Sequence, residues 1–246
     1  MVGSLLLRGM LIGVLAGLLA FAFARTFGEP QIDAAIAFEE QASQAAGEAP
    51  EPELVSRGTQ AGLGLGTGML VFGAAVGGIF ALVFAFAYGR LGSLGARATS
   101  ALLALAAFVS LVLVPQIKYP ANPPAVGSAE TIDVRTTLFF LMLLVSVAAL
   151  AAAVMLARRL WAQHGGWNAT LIAAATFVGV VALIQFAMPS IDEVPIGFSP
   201  EVLWRFRIAS IGIHAIFWAV IGLGFGILAE KRFGEGGARR LARSYG

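Results

Sequence analysis

The chain has 246 residues; 59% are hydrophobic, only 12% are charged, the formal net charge is +2 and there is no cysteine. A soluble globular chain carries roughly 25% charged residues, so this composition excludes a soluble enzyme and points to an all-α polytopic membrane protein. The missing cysteine excludes disulfides, thiolate metal ligands and a Cys nucleophile, and so small a net charge gives no ground for a nucleic-acid partner.

A helix crosses ~30 Å of hydrocarbon with about 20 residues at 1.5 Å each. Six apolar runs meet that length. The first extends from about Leu5 to Ala24. Arg8 ahead of an apolar run also resembles the start of a signal peptide, but the charge distribution favours a retained helix. Next comes a segment, residues 25–59, read as an acidic outward loop. Within it Pro30 to Ala46 predicts an interfacial helix with Ile32, Ile36 and Phe38 on its apolar side, stopped by Gly47, Pro50 and Pro52. The second run covers Gln60 to Tyr88 and the third, the shortest, Ala98 to Val114. The fourth covers Thr136 to Ala157, the fifth Asn168 to Met188 and the sixth Ile208 to Ala229. Residues 231–246 form a basic tail.

Six spans sort the charges. With both termini in the cytoplasm, that side holds ten basic residues and two acids, and the opposite side six basic residues and twelve acids. Basic residues in short cytoplasmic connections are what the positive-inside rule requires. The whole chain, 1–246, then reads as one transmembrane domain.

The second and third outward loops look alike. Val114-Pro115-Gln116-Ile117 parallels Met188-Pro189-Ser190-Ile191, and each loop ends in an arginine, Arg135 or Arg207, just before the next helix. This predicts repeated helical hairpins; proline punctuation at helix ends is the alternative. Glycines crowd the second run (Gly62 to Gly78) and the sixth (Gly222, Gly224, Gly226). Four-residue spacing lets helix backbones approach closely; a broken helix lining a transport path is the other use.

The chemistry-bearing candidates are few. His214 is the only histidine inside a span, and intramembrane ionisable groups are functional candidates by default. Glu39, Glu40, Asp133, Asp192 and Glu193 face outward, where an acidic vestibule concentrates divalent cations. Arg205 and Arg207, beside Trp204 and Phe206, read as an interfacial anchor, and pairing of Arg135 or Arg207 with an outward acid is the alternative. No fixed metal-binding spacing, hydrolytic triad or ATP-binding motif is present.

Lys118-Tyr119-Pro120-Ala121-Asn122-Pro123-Pro124-Ala125-Val126-Gly127, with Thr131-Ile132 and Arg135, resembles the CbtA family of predicted cobalt transporter subunits. Leu203-Trp204-Arg205-Phe206-Arg207-Ile208-Ala209-Ser210 is similar to that family's second hallmark. The resemblance implies a bacterial or archaeal cytoplasmic (inner) membrane protein that is not an enzyme. It implies uptake of a divalent metal ion, cobalt, as transported substrate with no resident cofactor, and a small single-span CbtB-type partner bearing histidines. Membrane lipid is the surrounding solvent. On this reading His214, Glu39, Asp192, Glu193 and Asn122 are the candidate metal-contacting residues, with a path between the glycine-rich second and sixth runs. The rival expectation is a non-transporting scaffold or assembly subunit of a larger membrane complex.

Overall fold

The computed structural model describes residues 2–47, 54–90 and 92–244, with side chains up to Phe233. The described residues are helices and short connections, with no strand. Five helices are long and apolar enough to cross a membrane. They are α1 (Val2–Ala45), α2 (Arg57–Ala87), α3 (Ala96–Lys118), α4 (Ile132–Ala187) and α5 (Pro200–Ser244).

The difference from six expected runs lies in α4. A straight helix of 56 residues would extend about 84 Å, nearly three hydrocarbon thicknesses. It is interrupted at Gly165, whose φ of 72° and ψ of 163° lie outside the helical region and at no steric cost only for glycine. The chain reverses there. Met142 from the arm before Gly165 and Val181 from the arm after it are buried in one cluster with Val114. The expected fourth and fifth runs are therefore the two arms of a single kinked element. The third run, the shortest by sequence, is a full-length helix of 23 residues.

A second difference concerns the start of the presumed first loop. Helix α1 does not stop at Ala24. It passes through a π turn, Ala24–Gly28, and continues as α-helix over Glu29–Ala45. The predicted helix in this region exists, but it is an extension of α1. Glu29, nine-tenths buried or more, and Asp33 hold it to the start of α2 through Arg57. Beyond them Ala35 and Phe38 pack against Val126 and Phe198 of the two proline-rich loops. Pro50 and Pro52 lie outside the described residues.

The bundle is organised around the α1–α2 contact. Hydrocarbon supplies no hydrophobic drive between helices, so association depends on close packing. Gly9, Gly13 and Gly17 of α1 meet Gly77, Gly73 and Met69 of α2 in antiparallel register. A Cβ on Gly13 or Gly77 would strike the facing helix backbone. Helix α5 packs on α1 and on α3. There Ser100 Oγ donates to the Gly222 carbonyl at 2.6 Å, and a Cβ on Gly226 would stand 3.0 Å from Arg97 Cα. At the end where the polypeptide begins, Arg8 Nη1 donates to the Leu228 carbonyl at 2.6 Å and Arg97 pairs with Glu230 at 2.6 Å. Residues 231–244, the expected basic tail, continue α5 as helix. Gly73 and Gly77 of α2 and Gly222 and Gly226 of α5 therefore serve packing.

The α4 hairpin is peripheral. In its most apolar window only 11% of residues are buried, against 33–39% in the other four helices. Phe140, Leu144, Val178, Leu183 and Phe186 are exposed to whatever surrounds the bundle, which in a membrane is lipid.

Replacing Gly13 by Leu should separate α1 from α2 and cost at least ~1–3 kcal/mol, the usual penalty of overpacking. Gly62, with open space where its Cβ would stand, should accept Ala within about 0.5 kcal/mol. Thermal unfolding of both variants in lipid nanodiscs checks the contrast; equal melting would contradict the α1–α2 seam.

Candidate functional site

Two cavities fall among the candidate residues. The first, about 350 Å³, lies between the proline-rich loops. Its polar walls are Tyr119, Asn122, Arg135, Asp192, Glu193 and Arg207. Local backbone chemistry explains how the first loop reaches it. Pro115 has no N–H to give the preceding turn, and α3 widens there into a π turn over Phe108–Leu113. Gln185 Nε2 from the α4 hairpin donates to the Val114 carbonyl at 2.9 Å. Past Pro123, Ala125 adopts φ 65° and Gly127 φ 125°. The Arg135 guanidinium lies directly over Gly127, where any Cβ would collide with it.

The two loops are cross-bonded. Lys118 Nζ donates to Ser190 Oγ at 3.1 Å, and Tyr119 Oη donates to the Pro189 carbonyl at 2.9 Å. The Ser128 N–H donates to Glu193 Oε2 at 2.9 Å, and Arg135 Nε stands 3.3 Å from the same oxygen. Arg207 Nη2 donates to Asn122 Oδ1 at 2.8 Å. The Thr131 hydroxyl, the Ser128 N–H and the Arg135 charge hold the Glu193 carboxyl below the usual carboxylate range. Partial burial pushes the Tyr119 phenol up. Arg207 Nε is buried without a hydrogen-bond partner, and Arg135 Nε has only its ion pair with Glu193, so neither guanidinium uses its full donor set.

The second cavity, about 500 Å³, lies between α1, α2 and α5 and is almost wholly apolar. Gly64, Gly68, Met69, Phe72, Ser210 and His214 line it. Further along α2 and α5, toward the Arg8 end, aromatic rings fill the space between the helices. Phe80 and Phe84 stand edge-on to Phe225, with centroids 5.5 and 5.1 Å apart, and Tyr88 stacks on Phe233 at 4.7 Å. The expected path between the glycine-rich runs is thus open beside His214 and closed by rings beyond it.

Of the five expected metal-contacting residues, the structure brings Asn122, Asp192 and Glu193 into one chamber. His214 belongs to the separate apolar cavity. Glu39 is exposed on the α1 extension and lines neither cavity. Among the described residues no three His, Asp or Glu side chains gather as a metal cage. Arg135 does pair with an outward acid, Glu193, whereas Arg207 donates to the Asn122 amide oxygen. The Glu29–Arg57–Asp33 cluster and the Met69 thioether beside His214 were not singled out by sequence. Nothing in their spacing marks them, since Arg57 meets Glu29 across 28 positions.

The family described as "Probable cobalt transporter subunit (CbtA)" matches residues 2–230. No curated protein and no solved structure matches the chain.

A carboxylate held below its ordinary pKa contributes stability that is complete above that ordinary value and is lost as pH falls through the lowered one. Protection of residues 119–131 and 188–199 from hydrogen exchange should therefore persist through the normal carboxylate range and collapse only at more acid pH. Glu193→Gln should remove that step; a variant that keeps it would show that another group controls the loops.

Proposed function

The chain belongs to the CbtA family, and from that premise we propose that it is the membrane permease subunit of a system for inward movement of a divalent transition-metal ion, cobalt being the ion the family points to. A subunit implies partners, and the reading adds a small single-span CbtB-type chain as the one that presents the metal. The protein then resides in the cytoplasmic membrane of a bacterium or archaeon, does no enzymatic chemistry and carries no resident cofactor.

The observation that supports this reading best is the family match over nearly the whole chain, joined to the convergence of Asn122, Asp192 and Glu193 on one chamber. Oxygen donors in a hydrated mouth suit a divalent ion that keeps part of its water shell. On this reading the two α4 arms cross separately, the even number of crossings leaves both termini on one side, and the positive-inside rule makes that side the cytoplasm and the chamber outside. The ion would pass from the chamber toward the cavity at His214, whose imidazole suits a borderline transition metal better than Mg²⁺ or Ca²⁺. Glu39, on the exposed flank of the α1 extension, would act only by adding to the negative field. The sequence has no ATP-binding motif, so the driving force is the membrane potential, an ion gradient or another subunit. A doubly charged ion gains about 4.6 kcal/mol per 100 mV on moving inward, enough for accumulation on the order of a thousandfold.

The scaffold alternative keeps one specific support, the broad exposed apolar surface of the α4 hairpin. Uptake separates the two. Vesicles holding the purified chain, with and without a single-span partner, should accumulate radioactive cobalt when the interior is negative, and His214→Ala should slow it. No uptake with any partner favours the scaffold; unchanged uptake by His214→Ala removes that residue from the path. Orientation has its own check: a reporter inserted after Pro124 should be active only outside the cell, and cytoplasmic activity there would reverse the scheme.

A further inference from the structure

The same two arginines that meet the chamber oxygens also join the loops reciprocally, and neither the family description nor the transport reading accounts for that. Arg135 starts the helix that follows the first proline-rich loop, yet it pairs with Glu193 of the second. Arg207 lies in the helix that follows the second, yet it donates to Asn122 of the first. Each hairpin thus closes on the other. Lys118 and Tyr119 add two further bonds across the same seam, to Ser190 and to the Pro189 carbonyl. The chamber behind the seam is a real void of about 350 Å³, so the bonds span a space rather than fill a core.

We propose that Arg135 and Arg207 form a releasable clasp that holds the two loops together across the partly open outer chamber, acting as tethered cations that an arriving divalent ion displaces. Three features support release rather than a permanent staple. The guanidiniums occupy the oxygens a cation would need, so clasp and ion compete for Glu193 and Asn122, with Asp192 beside them on the same wall. Arg207 Nε is buried without a hydrogen-bond partner and Arg135 Nε has only its 3.3 Å ion pair with Glu193, so the closed form is held by an incomplete donor set. The Arg135 side chain rests over Gly127 in a backbone conformation open mainly to glycine, leaving no side chain of that residue to trap it. Opposed charges held at hydrogen-bond range are screened once the seam is wet, and a doubly charged ion outcompetes a single guanidinium for a carboxylate on charge alone. The clasp rests on the transport reading only in taking this chamber as the ion's way in.

The chain has no cysteine, so labels go only where they are introduced. Ala129→Cys and Ile196→Cys, on exposed parts of the two loops, carry spin labels whose separation is measured by pulsed electron resonance in nanodiscs without metal. The double variant Arg135→Gln/Arg207→Gln should give a longer and broader separation, and Arg135→Lys/Arg207→Lys, which keeps both charges, should return close to the parent distribution. In vesicles the Gln pair should raise cobalt uptake at low cobalt concentration by about threefold or more, since two cations leave the mouth, while the Lys pair should not. An unchanged label separation in the Gln pair overturns the clasp, as does a widened separation without faster uptake. If the parent chain itself moves no cobalt, the transport reading fails, whereas the label separations still decide whether the arginines hold the loops together.

Discussion

Inside hydrocarbon a helix cannot gain by hiding apolar side chains from water, because the lipid is as apolar as the side chain. What holds two helices together there is how closely their backbones can approach. In this chain that condition is met along one seam, where Gly9, Gly13 and Gly17 oppose Gly77, Gly73 and Met69. The other principal contacts lean on it. Helix α5 seats Gly224 against Ile12 of α1 and closes on α3 through Ser100 and Gly222. Aromatic side chains of α2 and α5 then meet across the remaining gap, with Phe84 and Phe225 fully buried. The α4 hairpin, attached through Val114, Met142 and Val181, carries little of this packing.

The π turns belong to the same logic. A π turn widens a helix by one residue and re-aims its side chains. Among the described residues three occur, midway along α1 at Ala24–Gly28 and toward the ends of α2 and α3 nearest the proline-rich loops, at Gln60–Gly64 and Phe108–Leu113. Toward the other ends the helices remain regular and tightly packed. The molecule therefore has a rigid half, set by glycine contact and ring stacking, and a half with irregular helices that contains both cavities. A site that must open draws on the less regular half, because local opening requires few buried contacts to be given up.

Much of this was legible in the sequence, for identifiable reasons. Apolar run length reports the membrane directly, so α2 and α3 fall close to their expected bounds, and the expected Ile208 to Ala229 lies inside a longer α5, Pro200–Ser244. The α4 break at Gly165 was legible as a short link between two runs, with Arg158 and Arg159 marking the wet side. The continuation of α1 to Ala45 was not, because Arg25, Glu29 and Asp33 look like loop residues until Arg57, 28 positions beyond Glu29, pairs with the two acids. The α1 glycines were passed over because a four-residue spacing has meaning only when its partner stripe is known. At the chamber, Asn122, Asp192 and Glu193 were legible as outward polar residues, but their common location depends on two loops meeting, which no local pattern encodes.

The electrostatic character of the outer half follows from that meeting. An acidic vestibule alone would attract every cation and retain the most highly charged, which opposes passage. Here oxygens that would bind an ion face arginines from the neighbouring hairpin, so the chamber's net field is modest although its charges are many. Weak net attraction with strong local partners favours exchange over capture. Beyond the chamber the cavity at His214 changes ligand type, from carboxylate and amide oxygen to imidazole and thioether neighbours, so an ion moving between them would shed hard ligands for softer ones. A hard ion loses more than it gains by that change, whereas a borderline transition ion does not. Discrimination would then arise from the order of the two environments rather than from a single tight cage.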